Sequence, residues 1–486
     1  GLMMAAVVHE DRYKHKGKTI SEIKFTTKAS VKIDQSRHRD RIILNKRLKI
    51  ESLEEAETVL SAEEELEKVT YAATLLKQGK KVVALTILRR CFARDPNSSR
   101  NFLRNDGLQT LQSCLLSTDS EVLHAAAWCI INLAAGTSLS LKNMSHLSPL
   151  ILQFLQGSDP MMQELCAWIV GNLAGDSEKH RNILLQQGCV APLIALVSSQ
   201  YHLSLEARSQ SVLFALVNLA RDKNYACVRC MLDSSLFNHL EMMLTTTSAS
   251  CDLCFEIGWL TNYIYSRQET YLEHGDQYSL ILYSVIEKLS QVICLEDKVQ
   301  RDKVVLPYLH SIGNIIGFSP EIALIASNFQ NFLPTLFLCL TCDIEFIQKE
   351  SLWILVNFMA EPSCRVVVIL QPRFLNIIYH LCESTDQETT LNAVYLLEDA
   401  SKVSSWVCQY LIEHKILDVL LRLLTHSNLQ ILETALDTLM DVVIGTVQAR
   451  TALLNAEEFV HLQSAASNEK YTTVMEKARF IIDLLK

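Results

Sequence analysis

The sequence predicts an all-α protein, a solenoid of about ten stacked helical repeats behind a basic amino-terminal arm. Three observations carry that prediction. Leucine-rich runs at helical spacing dominate, as in LSPLILQFLQ, APLIALV and LDVLLRLL. Punctuation for many short strands is scarce, with 14 glycines and 9 prolines in 486 residues. An aromatic residue also recurs with a polar partner four residues later: Trp128/Asn132, Trp168/Asn172, Trp259/Tyr263 and Trp353/Asn357. Phe214/Asn218 and His310/Asn314 fall between them with the tryptophan replaced. A gap of four is one helical turn, so each pair shares a helix face.

Residues 1–50 form the arm. They hold 13 Lys/Arg against 5 Asp/Glu, a balance of +8, while the rest of the chain holds 32 against 49, a balance of −17. A largely disordered basic arm on an acidic body can bind that body or a second acidic protein. Residues 51–66, ESLEEAETVLSAEEEL, read as an acidic linker running into a helix. The repeats occupy 67–486.

The segment 162–197 shows the unit. An apolar helix, LCAWIVGNLAG, ends near Gly175, and a polar turn, DSEKHRN, follows. A second helix, ILLQQ, stops at Gly188, and Pro192 sits near the start of the next, APLIALV. Helices this short are marginal alone, so packing between units must hold them. A unit of about 40–47 residues is the period of armadillo or HEAT repeats.

Composition narrows the function. The chain is 49% apolar, as suits a body that is mostly core. Its 15 cysteines are scattered through apolar helical segments, and no secretory signal is legible, so buried thiols in a reducing compartment are expected. No apolar run reaches the length of about 18 residues that a membrane span needs, so neither a span nor a membrane partner is expected. Cys227/Cys230 and Cys251/Cys254 imitate a zinc-ribbon spacing, and Cys339/Cys342 adds a third CxxC. The thiols lack the turn residues of a zinc knuckle, and the repeat register puts the first two pairs on separate helices, so they read as core. No HExxH, P-loop, GxSxG or GxGxxG is present, which leaves no catalytic constellation and no cofactor. Trp406 has no carboxamide four residues on and reads as structural.

The stretches AAWCIINLAAGTS at 126–138 and CAWIVGNLAGDSEKHRNILLQQGCVAPLIALV at 166–197 closely resemble the second and third armadillo repeats of the importin-alpha (karyopherin-alpha) family. The likeness continues through FALVNLARDK at 214–223, GWLTNYI at 258–264, HSIGNIIG at 310–317 and KESLWILVN at 349–357. It implies a right-handed superhelix of armadillo repeats. In the arm, RYKHKGKT at 12–19 and VKIDQSRHRDRIILNKR at 31–47 are similar to the family's importin-beta-binding segment, which assigns that role to Arg12, Lys14, Lys16, Lys18, Arg37, Arg39, Arg41, Lys46 and Arg47. KFTT at 24–27 replaces the family's arginine run, which implies weak self-occupation of the groove.

The resemblance also implies a ligand, an extended lysine-rich nuclear localisation signal, and the residue types suit it. Asn offers a donor and an acceptor to each peptide unit. Tryptophan faces take lysine stems and add cation–π attraction. Acidic groups pair with the ammonium. The major site implied is Trp128, Asn132, Thr137, Trp168, Asn172, Asp176, Phe214, Asn218, Glu256, Trp259 and Tyr263, with Asp176 on the critical lysine. Phe214 stands where tryptophan is usual and makes a looser third pocket. The minor site implied is His310, Asn314, Glu350, Trp353, Asn357 and Asn392. His310 replaces an arginine there, Asn392 a tryptophan, and Leu396 an asparagine, so the second site is the weaker.

The function expected is a nuclear import adaptor that shuttles between cytoplasm and nucleus. Its partners would be cargo, importin-beta and an export receptor, with no direct contact to nucleic acid. The ending FIIDLLK, without an acidic tail, weakens the last of the three. The alternative is a divergent armadillo scaffold or regulator of the same family that binds peptides but does not import. A junction or transcription scaffold outside the family does not account for the basic arm.

Overall fold

Ser61 opens the first described helix with a capping box: its hydroxyl accepts from the Glu64 amide, and the Glu64 carboxylate accepts from the Ser61 amide at 2.7 Å. The helix, Ala62–Lys77, therefore begins inside the stretch read as linker, and it packs on Lys81–Arg94. The computed structural model describes residues 60–136, 141–200, 206–221, 225–246 and 249–485. The assignments to the arm, to residues 51–59 and to Thr137 lie outside the described residues. Among those described, all regular structure is helical.

Two compact units divide the chain between Glu273 and His274. In the first, short helices such as Pro96–Arg104 and Gly107–Leu115 precede a long one, Ser120–Gly136, and the order repeats with Glu178–Gln186, Val190–Gln200 and Glu206–Ala220. The long helices stack in sequence: Lys81–Arg94, Ser120–Gly136, Pro160–Asp176, Glu206–Ala220 and Cys251–Tyr265. In the second unit Lys298–Ile316, Glu345–Met359, Gln387–Ser401, Leu429–Gly445 and Thr472–Leu484 stack the same way. Each unit thus buries its apolar residues between successive repeats, as a solenoid must.

The turn between the two short helices has a recurring backbone. Gly188 has φ +78°, and the equivalent residue in other repeats is Asp106 (φ 55°), Ser235 (φ 65°) or Lys415 (φ 65°). A left-handed residue costs little as glycine and more with a Cβ. Ser235→Gly and Lys415→Gly should each raise stability by about 0.5–1 kcal/mol. A denaturant midpoint that stays put or falls would remove this account of the turn.

Cys227 and Cys230 lie on Ala226–Asp233, and Cys251 and Cys254 on Cys251–Tyr265, so the first two CxxC pairs do occupy separate helices. Burial pushes the Cys91 thiol up to about 12 and raises Cys339 as well. Two expectations fail at the surface. Cys294 is exposed, and Trp406, expected to be structural, is 52% exposed on the first turn of Ser405–Glu413. No single described helix is long and apolar enough to cross a membrane.

Candidate functional site

The carboxamides of the ladder are positioned by bonds between repeats. Asn132 Nδ2 donates to the Arg89 carbonyl at 3.0 Å, Asn172 to Ile131 at 3.1 Å and Asn218 to Gly171 at 2.9 Å. In the second unit Asn357 donates to Gly313 at 3.0 Å. Ile131, Gly171 and Gly313 each sit one residue before the carboxamide position of the preceding helix, and Arg89 precedes Arg90, which holds that position in the first. The register therefore advances by one repeat per bond.

The aromatic partner uses the same landmark in three of the pairs, those of Trp128, Phe214 and Trp353. A Cβ on Gly171 would lie 2.4 Å from the Phe214 ring, and one on Gly313 would lie 2.1 Å from Trp353 Cζ3. The ring of one repeat is laid directly on the glycine backbone of the previous one. At Trp128 the same position is Arg89, whose guanidinium carbon is 5.4 Å from the ring centroid. Spacing alone showed that aromatic and carboxamide share a face; it did not show that both address one residue of the neighbouring helix.

Within the first unit, Trp128 and Trp168 are half-buried on neighbouring long helices. Asn132, Asn172, Phe214, Asn218, Glu256 and Tyr263 are buried, and Trp259 is 1% exposed. Trp259 makes ring contacts with Phe255 and Tyr263, each at 6.2 Å between centroids. Asp176 ends helix Pro160–Asp176 and lies 3.2 Å from His180 Nδ1 through Oδ2. His180 Nδ1 also meets the Ser177 hydroxyl at 2.7 Å, and Ser177 caps the helix Glu178–Gln186. Asp176 is thus held at a helix junction by an imidazole.

Within the second unit, Glu350, Trp353 and Asn392 line one depression of about 90 Å³, together with Lys349, Leu352, Glu388 and Thr389. Glu388 was missed in the sequence. It is one turn before Asn392, a spacing that could have found it. Two carboxylates beside an indole suit an ammonium on an alkyl stem. Lys349 is drawn aside by Glu345 at 2.8 Å and Asp386 at 3.3 Å. His310 and Asn314 are buried; His310 Nε2 lies 3.3 Å from Glu350 Oε2, and Asn314 Nδ2 bonds its own helix at the His310 carbonyl. Leu396, in the asparagine position, is 1% exposed and belongs to the core.

No family model matches the chain. Importin subunit alpha-9 of Arabidopsis thaliana is 27% identical over 319 residues, 63% of this chain and 58% of that protein. Importin subunit alpha-2 of Oryza sativa subsp. japonica is 26% identical over 350 residues, 69% of this chain and 63% of that protein. A probable importin subunit alpha-A of Dictyostelium discoideum is 25% identical over 222 residues. The chain is thus similar to importin-alpha subunits, at 25–27% identity over part of its length. It spans less than two thirds of the length of these importin subunits. An engineered protein of known crystal structure superposes on this chain with a TM-score of 0.67 at 19% identity, covering 87% of this chain and 98% of its own; that likeness concerns the fold.

Proposed function

We propose that this importin-alpha relative is a nuclear import adaptor. Its helical stack holds lysine-rich localisation signals of cargo along the aromatic ladder, its basic arm docks on importin-beta, and it shuttles between cytoplasm and nucleus. The work is equilibrium binding and calls for no catalytic residue. The observation that carries the reading is the ladder itself: indoles half-buried on successive helices at Trp128 and Trp168, with Asp176 at the end of the Trp168 helix. At the Trp168 helix, an indole and a carboxylate are what a lysine side chain needs. In the second unit the depression around Trp353, Glu350 and Glu388 offers the same chemistry, with Asn392 beside it in place of a second indole.

The test is titration of a fluorescent lysine-rich signal peptide into the purified chain and into Asp176→Lys. The charge reversal should weaken binding about tenfold or more. Asp176→Asn, which keeps the shape beside His180, should weaken it less. Equal binding by all three would remove Asp176 from the site. A second reading, a scaffold that binds other peptides without import, draws support from the burial of Trp259 and from His310 and Glu350 meeting each other. Capture of importin-beta by the chain separates the two: a one-to-one complex supports the adaptor, and none supports the scaffold.

A further inference from the structure

The residue beneath each ladder aromatic differs between repeats, and the difference is chemical. Phe214 lies on Gly171 and Trp353 on Gly313, residues that bring no side chain of their own to the ring. Trp128 lies over Arg89, a cation 1% exposed. The Arg89 backbone is pinned from the neighbouring helix: its carbonyl accepts from Asn132 at 3.0 Å, and one turn earlier the Leu85 carbonyl accepts from the Cys129 thiol at 3.0 Å. The backbone that carries the guanidinium is thus fixed beside the helix of the indole. Its neighbour Arg94 is held elsewhere, on Glu65 at 2.7 Å.

We propose that Arg89 is a specificity-determining residue: its guanidinium fills the cation slot of Trp128, so lysine gains little at this end of the ladder and cationic reading starts at Trp168. This rests on the peptide-binding reading above. An aromatic face attracts a cation through its quadrupole, and one resident guanidinium uses that attraction. A second cation on either face then meets a like charge in partly desolvated surroundings and gains little. A lysine at the peptide position facing Trp128 therefore adds little to affinity.

The experiment is an alanine scan of each lysine in a signal peptide, titrated against wild type, Arg89→Met, Arg89→Lys and Arg89→Met with Trp128→Ala. Methionine keeps the apolar stem, and lysine keeps the charge as a control on folding. Wild type and Arg89→Lys should show one peptide position where lysine-to-alanine changes affinity less than about twofold. In Arg89→Met that lysine should become worth about 3- to 10-fold, and the added Trp128→Ala should abolish the gain. An unchanged scan in Arg89→Met overturns the proposal while leaving the groove in place. A peptide that binds wild type and Trp168→Ala equally, or binds neither, overturns the groove reading, and the Arg89 proposal with it.

Discussion

Gly313→Ala should destabilise the chain by about 2–3 kcal/mol, although alanine is the better helix former by about 1 kcal/mol. The added methyl would sit 2.1 Å from Trp353 Cζ3 and 2.6 Å from Cε3, and the ring is 5% exposed with little room to retreat. The indole must leave its rotamer, or the helices Lys298–Ile316 and Glu345–Met359 must separate. Either outcome also disturbs the Asn357 bond to the Gly313 carbonyl and the depression that holds Glu350 and Asn392. Denaturant unfolding followed by tryptophan fluorescence reads the loss. In a Trp353→Leu background the same substitution should cost little or stabilise, since the clash is gone and propensity remains. A rise in stability for the single mutant would show that Trp353 does not lie on Gly313.

Asn218→Ala should cost about 2 kcal/mol, more than Asn357→Ala. Asn218 is buried, and its Nδ2 satisfies the Gly171 carbonyl at 2.9 Å while its Oδ1 accepts from Arg221 at 3.4 Å. Truncation leaves the Gly171 carbonyl without that donor and opens a void at a buried position. Asn357 makes the equivalent bond to Gly313 but is only half-buried, so water can replace it. Asn357→Ala should therefore cost about 0.5–1 kcal/mol. Hydrogen exchange along the Glu206–Ala220 helix localises the Asn218 effect. Equal costs at the two sites would mean that burial does not set the value of the bond.

The sequence reading gave the ladder's carboxamides to the peptide alone. The structure commits one amide nitrogen of Asn132, Asn172, Asn218 and Asn357 to the preceding helix, so each has a structural duty whatever it does for a ligand. Trp406, set aside as structural, lies at the surface, because the turn that bears it opens a short helix rather than a long stacked one.

Much of the molecule was legible in its residues. Helical spacing of leucines, Gly188 at a turn and a pair recurring about every forty residues determined an all-α stack. The residues around Trp128 and Trp168 carried the resemblance to importin-alpha. What only the tertiary structure decided is which atoms meet across a repeat: Arg89 on Trp128, Gly313 under Trp353, and Glu388 beside Glu350. The reason is physical. A local pattern fixes which face a residue takes, whereas contacts between residues some forty positions apart depend on how far each helix is turned and slid against the last.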